Sequence, residues 1–278
     1  MSDVTTKVNY SLRNHNGEMI FLNGFSPKDQ FSLSKVDPYL TGGSVVKQLP
    51  IGTWAFKDQR KFIYSYAGGT ILGNSRLLVD ANYTPGTSTG ADSTGFEGNI
   101  QDAVSADGTT VVIEDTTDRV VDYYQGGYLT VFDASGIKSF TVRIHASDVA
   151  TSADSVTLYI DDGVPYAVAA DTYCSAFRSP YSNVTQPSST HYEGFIGVAH
   201  EAVTSGYYFW LQTNGPAWLA QYAAASIPGY TSDYLDAYAW YDGTVKVGAT
   251  AGALTYVGNS FGRRESGYGE TFINMKLG

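Results

Sequence analysis

From residue 109 onward, apolar and polar positions alternate in short bursts, each stopped by Asp, Ser or Gly. The bursts are TTVVIEDT (109–116), GYLTVFDASG (127–136), SFTVRIHAS (139–147) and SVTLYIDDG (155–163). In the third, Phe140, Val142 and Ile144 share one face of a strand, with Thr141, Arg143 and His145 on the other. Period two with turn formers between the runs is the rhythm of an antiparallel sandwich or barrel. Residues 194–278 repeat it in GFIGVAHEA, GYYFWLQTNGPAWLAQ, DAYAWYDGTVKVG, ALTYVGNSFG and ETFINMKLG. The aromatic run at 206–221 divides by parity: Tyr207, Phe209, Leu211 and Thr213 face one way, Tyr208, Trp210 and Gln212 the other. Asn214-Gly215 then predicts a tight turn, with Pro216 opening a second strand, so the run reads as a hairpin.

Earlier in the chain, 61–66 and 77–79 read as strands separated by a Gly68-Gly69 turn, and 82–99 as a Gly/Ser/Thr/Pro surface loop. The best helix candidate is 219–226, short and Ala-rich, and no longer helical period is present. Residues 1–48 carry Pro27, Pro38 and the pair Gly42-Gly43 without a sustained period, which predicts either an arm laid on another surface or a disordered segment. The fold class expected is therefore all-β, an antiparallel barrel or sandwich with an extended N-terminal arm. Its expected divisions are an arm at 1–48, a barrel-like domain from 49–99 and 186–278, and a second β-rich region at 100–185.

Composition agrees with strands and turns: 30 glycines and 22 tyrosines stand against three methionines. The net charge of −10 argues against a nucleic-acid partner, since phosphate binding needs Lys and Arg. The charge is uneven, net +4 over residues 1–76 and −14 over 77–278. Such asymmetry suits head-to-body contacts between copies or an arm on an acidic surface, and is also within reach of chance. No apolar run approaches a membrane span and residues 1–17 show no signal-peptide core, so a membrane role is not expected and synthesis in the cytoplasm is.

Catalytic patterns are sparse. The one G-x-S-x-G match, 86–90, sits in a Ser/Gly-rich loop with neither the strand before it nor the helix after it that a nucleophile elbow requires. His15, His145, His191 and His200 make no i, i+4 pair on a helix, although His191 and Glu193 would share a strand face. Asp161-Asp162 and Glu114-Asp115 close strands as turn formers, and Asp233, Asp236 and Asp242 do not have calcium-loop spacing. Cys174 is alone, which excludes an internal disulfide and fits a buried, inert thiol. No cofactor, metal or catalytic residue is assigned. A carboxylate pair across a cleft would still permit a glycosidase.

Residues 194–278 resemble the C-terminal part of capsid-associated proteins of tailed bacteriophages. The likeness rests on the Gly197-Val198-Ala199 strand, on Gly206 and the aromatics with Gln212 and Gly215, on the Asp242-Gly243-Thr244-Val245 hairpin, and on the Val257-Gly258 and final strands. LPIGTWAFKDQRKFIYSYAGGTILGNSRLLVDA and YYQGGYLTVFDASG look like companion segments. The resemblance implies a head decoration (cement) protein with a small β-barrel or β-tulip-like fold, bound on the outer capsid surface of the virion after assembly in the host cytoplasm. It implies the major capsid protein and further copies of itself as partners, and no enzyme activity. The 82–185 region and the N-terminal segment go beyond compact members of that family. Partner contacts are expected from Phe31 and Tyr39 in the arm and from Tyr208 and Trp210 on the outward strand face. The alternative reading is a glycan-binding module or adhesin that uses Tyr and Trp faces as stacking platforms.

Overall fold

The structure, a computed structural model, describes residues 8–13, 19–25, 43–57, 59–73, 75–82, 95–132, 139–151, 155–187, 194–221, 236–247, 255–261 and 270–277. Those residues form twenty strands and no helix. The first six are β1 (Val8–Arg13), β2 (Met19–Phe25), β3 (Trp54–Lys57), β4 (Arg60–Tyr66), β5 (Ile71–Leu72) and β6 (Leu77–Asp80). A middle group follows: β7 (Gly95–Asn99), β8 (Thr110–Ile113), β9 (Tyr128–Phe132), β10 (Ser139–Ser147), β11 (Val156–Ile160) and β12 (Tyr173–Phe177). The last eight are β13 (Val184–Thr185), β14 (Phe195–Val198), β15 (Ala202–Val203), β16 (Tyr208–Ala220), β17 (Asp236–Ala239), β18 (Val245–Val247), β19 (Thr255–Ser260) and β20 (Glu270–Lys276).

A twelve-stranded sheet runs β1-β2-β3-β4-β16-β20-β19-β17-β18, with β14, β6 and β13 branching from β16. A six-stranded sheet, β7-β12-β9-β10-β11-β8, is built from the chain between β6 and β13. β5 and β15 make a separate pair, and every strand pairing is antiparallel. The protein is an all-β, antiparallel structure of curled sheets. β7 belongs to the six-stranded sheet and β13 pairs with β6 in the larger one, so the sheets change over a few residues before 99 and 185.

Alternation explains how each sheet closes a core. In the six-stranded sheet Leu129, Val131, Ile144, Leu158, Val111 and Ile113 pack with Tyr124, and Phe140 and Val142 join them as the period-two reading expects. The larger sheet holds two clusters. Leu77, Val79, Ala217, Leu219, Ile273 and Met275 belong to one, and Leu78, Ile71, Val203, Phe209 and Leu211 to the other. β6 is buried along its whole length because its odd residues enter one cluster and Leu78 the other.

Two expectations need correction. Residues 206–221 are not a hairpin: β16 runs unbroken for 13 residues. It pairs with β4 up to Asn214 and with β20 from Asn214 on, with a bulge between Gln212 and Asn214. Gly215 has φ +89°, and a Cβ there would run into the Gln59 carbonyl oxygen. A positive-φ glycine is required by a bulge as much as by a tight turn, so Asn-Gly alone does not distinguish them. Consequently Leu219 and Ala220 end a strand instead of starting a helix, while 222–226 lie outside the described residues. Within the 1–48 arm, β1 and β2 form an antiparallel hairpin, and β2 pairs with β3 with Phe21 opposite Trp54 in the backbone register. That part of the arm is an added edge of the sheet.

The two sheets meet through specific contacts. Lys47 Nζ stands 3.1 Å from Asp122 Oδ2, and Ile51 N donates to Gln125 Oε1 at 3.3 Å. Asn82 Nδ2 donates to the Ser179 carbonyl, and Arg178 Nη1 donates to Asn82 Oδ1 at 2.9 Å. At Gly126 (φ +75°) a Cβ would lie 2.6 Å from the Ile51 carbonyl oxygen, so the close approach of the sheets demands glycine there.

Candidate partner-binding surfaces

The bulge in β16 is held by one side chain. Gln212 is fully buried, and its Nε2 donates to the carbonyls of Asn214, Gly215 and Pro216 at 3.2, 3.4 and 2.9 Å. Its Oε1 lies 2.5 Å from His200 Nε2. Since the amide nitrogen is occupied as a donor, Oε1 accepts and His200 carries its proton on Nε2. Burial pushes the His200 pKa down, which keeps the ring neutral. Peptide groups that the bulge takes out of the ladder are thereby satisfied internally.

On the N-terminal side of the bulge, Tyr208 pairs with Tyr66 and Trp210 with Tyr64. Tyr64 and Tyr208 stack with centroids 5.9 Å apart, and Trp210 meets Tyr64 edge-on at 5.3 Å. Segment 43–50 lies over this group. Ser44 and Tyr208 exchange backbone hydrogen bonds of 2.9 and 2.7 Å, and Gln48 N donates to Tyr64 Oη. Burial pushes the Tyr64 hydroxyl up to about 12, and Tyr208 is raised by burial, by Tyr66 and by Asp122. Of the expected partner residues, the structure thus brings Tyr208 and Trp210 together in a half-buried ring cluster. Phe31 and Tyr39 lie outside the described residues.

Past the bulge the same strand is open. Trp218 is 49% exposed, Phe272 42% and Phe261 56%. Trp218 pairs with Phe272 across β16 and β20, with centroids 5.9 Å apart, and Phe261 meets Phe272 at 5.1 Å. Ala217, Leu219, Ile273 and Met275 on the opposite parity fill the core, which fixes the three rings on the outer face. Polar groups border them. Asn259 Oδ1 accepts from Tyr256 Oη at 2.9 Å and from Lys276 Nζ at 3.2 Å, and Asn259 Nδ2 donates to Asp236. Sequence reasoning missed this cluster because the hairpin reading put Trp218 on a different strand from Trp210. The alternation Phe272, Ile273, Asn274, Met275 carried a usable signal.

The buried polar groups are braces. Asp115 Oδ2 accepts from Arg119 Nε at 2.7 Å and from Tyr124 Oη at 2.5 Å, and Thr117 N donates to Oδ1. Burial opposes the Asp115 charge, yet the hydrogen bonds from Arg119, Tyr124 and Thr117 hold its pKa below the usual range. The Tyr123 ring lies between the guanidiniums of Arg119 and Arg178, at 4.4 and 4.3 Å. Asp80 accepts from Asn82 N through Oδ1 while its buried Oδ2 has no hydrogen-bond partner, and burial pushes its pKa up to about 6. Cys174 is buried in the six-stranded core, where burial and then Glu114 push its thiol up to about 12. Among the described residues no three His, Cys, Asp or Glu side chains stand together as a metal set, and no helix is long and apolar enough to cross a membrane. Compared with known proteins, the chain matches no family model, no curated protein and no solved structure.

Proposed function

We propose that this chain is a structural protein of a tailed-phage virion. On this reading it sits on the outer face of the icosahedral capsid and stabilises it by non-covalent contacts with the major capsid protein and with further copies of itself. The observation that carries the reading is the exposed Trp218–Phe272–Phe261 cluster, which lies on strands of the segment 194–278 that resembles capsid-associated proteins. Contiguous rings with an Asn, Lys and Asp border have the anatomy of a protein interface, an apolar centre within a polar rim. Desolvating such anchors is worth about 2 kcal/mol per residue, enough for a docking site that repeats over a shell.

The test images purified particles by cryo-electron microscopy and co-sediments the purified chain with undecorated shells. Icosahedrally repeating density for this chain, and loss of co-sedimentation in Trp218→Ala/Phe272→Ala, are the expected outcomes. Density confined to a tail tip, or undiminished co-sedimentation of the double variant, overturns the reading.

A further inference from the structure

The outer face of the six-stranded sheet carries a second set of aromatics, arranged as a grid by the strand registers. Across β7, β12, β9 and β10 one row reads Gly95, Phe177, Tyr128, Arg143. The next outward-facing row reads Glu97, Ser175, Thr130, Thr141. In the third, Asn99 pairs with Tyr173 and Ser139 with Phe132, while the Tyr173 and Phe132 rings meet at 5.9 Å. The intervening residues Leu129, Val131, Cys174 and Ala176 point into the core, so all four rings face outward, each 40–47% exposed. Tyr173 is steadied by a hydrogen bond to Glu97, and the Thr130 and Thr141 hydroxyls bond to each other at 3.0 Å.

We infer that this face is a saccharide-binding platform, with the Phe177/Tyr128 and Tyr173/Phe132 rows stacking against sugar rings and the Thr130 and Thr141 hydroxyls between them hydrogen-bonding sugar hydroxyls. The pattern is the reverse of a protein interface, where the centre is apolar and the rim polar. Here the half-buried Thr130 and the exposed Thr141 hold the accessible middle, with Ser175 buried beside them, and the rings bracket it. The pairs are four residues apart along each strand, about 13 Å, which spans more than one sugar ring. Sugars present alternating C–H faces and hydroxyl edges, and an aromatic face beside a short hydroxyl meets both. Arg143 is the one cation and Glu97 the one carboxylate in these rows, so the ligand class is a neutral glycan, not a phosphate polymer. Nothing in this inference depends on the capsid reading, because it uses a different sheet.

The test applies the full chain to a glycan microarray of neutral linear and bacterial-surface polysaccharides, then measures the best ligands by isothermal titration. Binding of a neutral glycan, weakened roughly ten-fold by Phe132→Ala or Tyr173→Ala and unchanged by Trp218→Ala, is the expected result. These truncations are on the surface, and a thermal melt of each variant confirms that the sheet is intact. No binding to any neutral glycan overturns the inference. So does binding undiminished in Phe132→Ala/Tyr173→Ala, or loss of shell co-sedimentation in that variant, which would assign the face to a protein partner.

Discussion

The molecule exposes aromatic rings on two antiparallel sheets, and the two groups differ in what lies between the rings. On β16, on β20 and just past β19 the rings touch: Trp218, Phe272 and Phe261 form one apolar island with polar groups outside it. On β9 and β12 they stand in two rows separated by the half-buried Thr130 and the buried Ser175, with the exposed Thr141 beside Thr130. Aromatic count is therefore a poor guide to function, since on the proposed readings the same residue type would meet two kinds of partner according to its spacing. Contiguity favours a dry protein contact, and spacing by hydroxyls favours a ligand that is itself part polar.

The largest expected effect separates the two surfaces by removing one fold unit. Arg119→Met leaves Asp115 charged and buried beneath the six-stranded sheet, and breaking such a pair costs about 3–5 kcal/mol. Thermal unfolding followed by near-ultraviolet circular dichroism should show that sheet melting first, with saccharide binding lost before shell binding. Simultaneous loss of both would show that the surfaces are not independent. Gly215→Ala acts on the other side. It places a Cβ at φ +89° against the Gln59 carbonyl, with an expected cost on the order of 2–3 kcal/mol. Shell co-sedimentation should weaken while glycan titration stays unchanged. A variant as stable as the parent would mean that the bulge is not the fulcrum described.

The smallest effect lies at the junction. Asp80 has a folded pKa of about 6 against an ordinary 3.8, so its folded form holds the proton more tightly than the unfolded chain does. Its stabilising contribution is fully present below about pH 4 and is lost as the pH rises through about 6. Asp80→Asn should therefore raise stability at pH 7 by on the order of 1–2 kcal/mol and flatten the pH profile between 4 and 7. Chemical denaturation at several pH values measures it. A variant less stable than the parent at pH 7 would mean that the charge is needed beside Arg178.

Legibility followed periodicity. Strands with clean alternation, such as 139–147 and 155–163, were readable because burial on one face imposes period two, whereas 61–66 was readable as a short apolar and aromatic run buried on both faces. The hairpin misreading of 206–221 arose because Asn214-Gly215 reports a backbone conformation, not the direction the chain takes afterwards. Met19–Phe25 holds no strict alternation, whereas Val8–Arg13 alternates Val8, Tyr10 and Leu12 with Asn9, Ser11 and Arg13, a signal too short to stand out in a segment without a sustained period. Tyr208 and Trp210 were singled out by local density of aromatics. Their cover, the segment 43–50, comes from more than 150 residues away.

By itself the sequence determined the all-β class and the parity of side chains along the regularly alternating strands, such as 139–147 and 156–160, since these depend on neighbours one and two positions apart. Only the tertiary structure decided which outward rings meet. Phe272 joins Trp218 because β20 pairs with β16 past the bulge, and Phe132 meets Tyr173 because β9 lies beside β12. Register between distant strands is set by the joint packing of both faces, a property that no single stretch of chain contains.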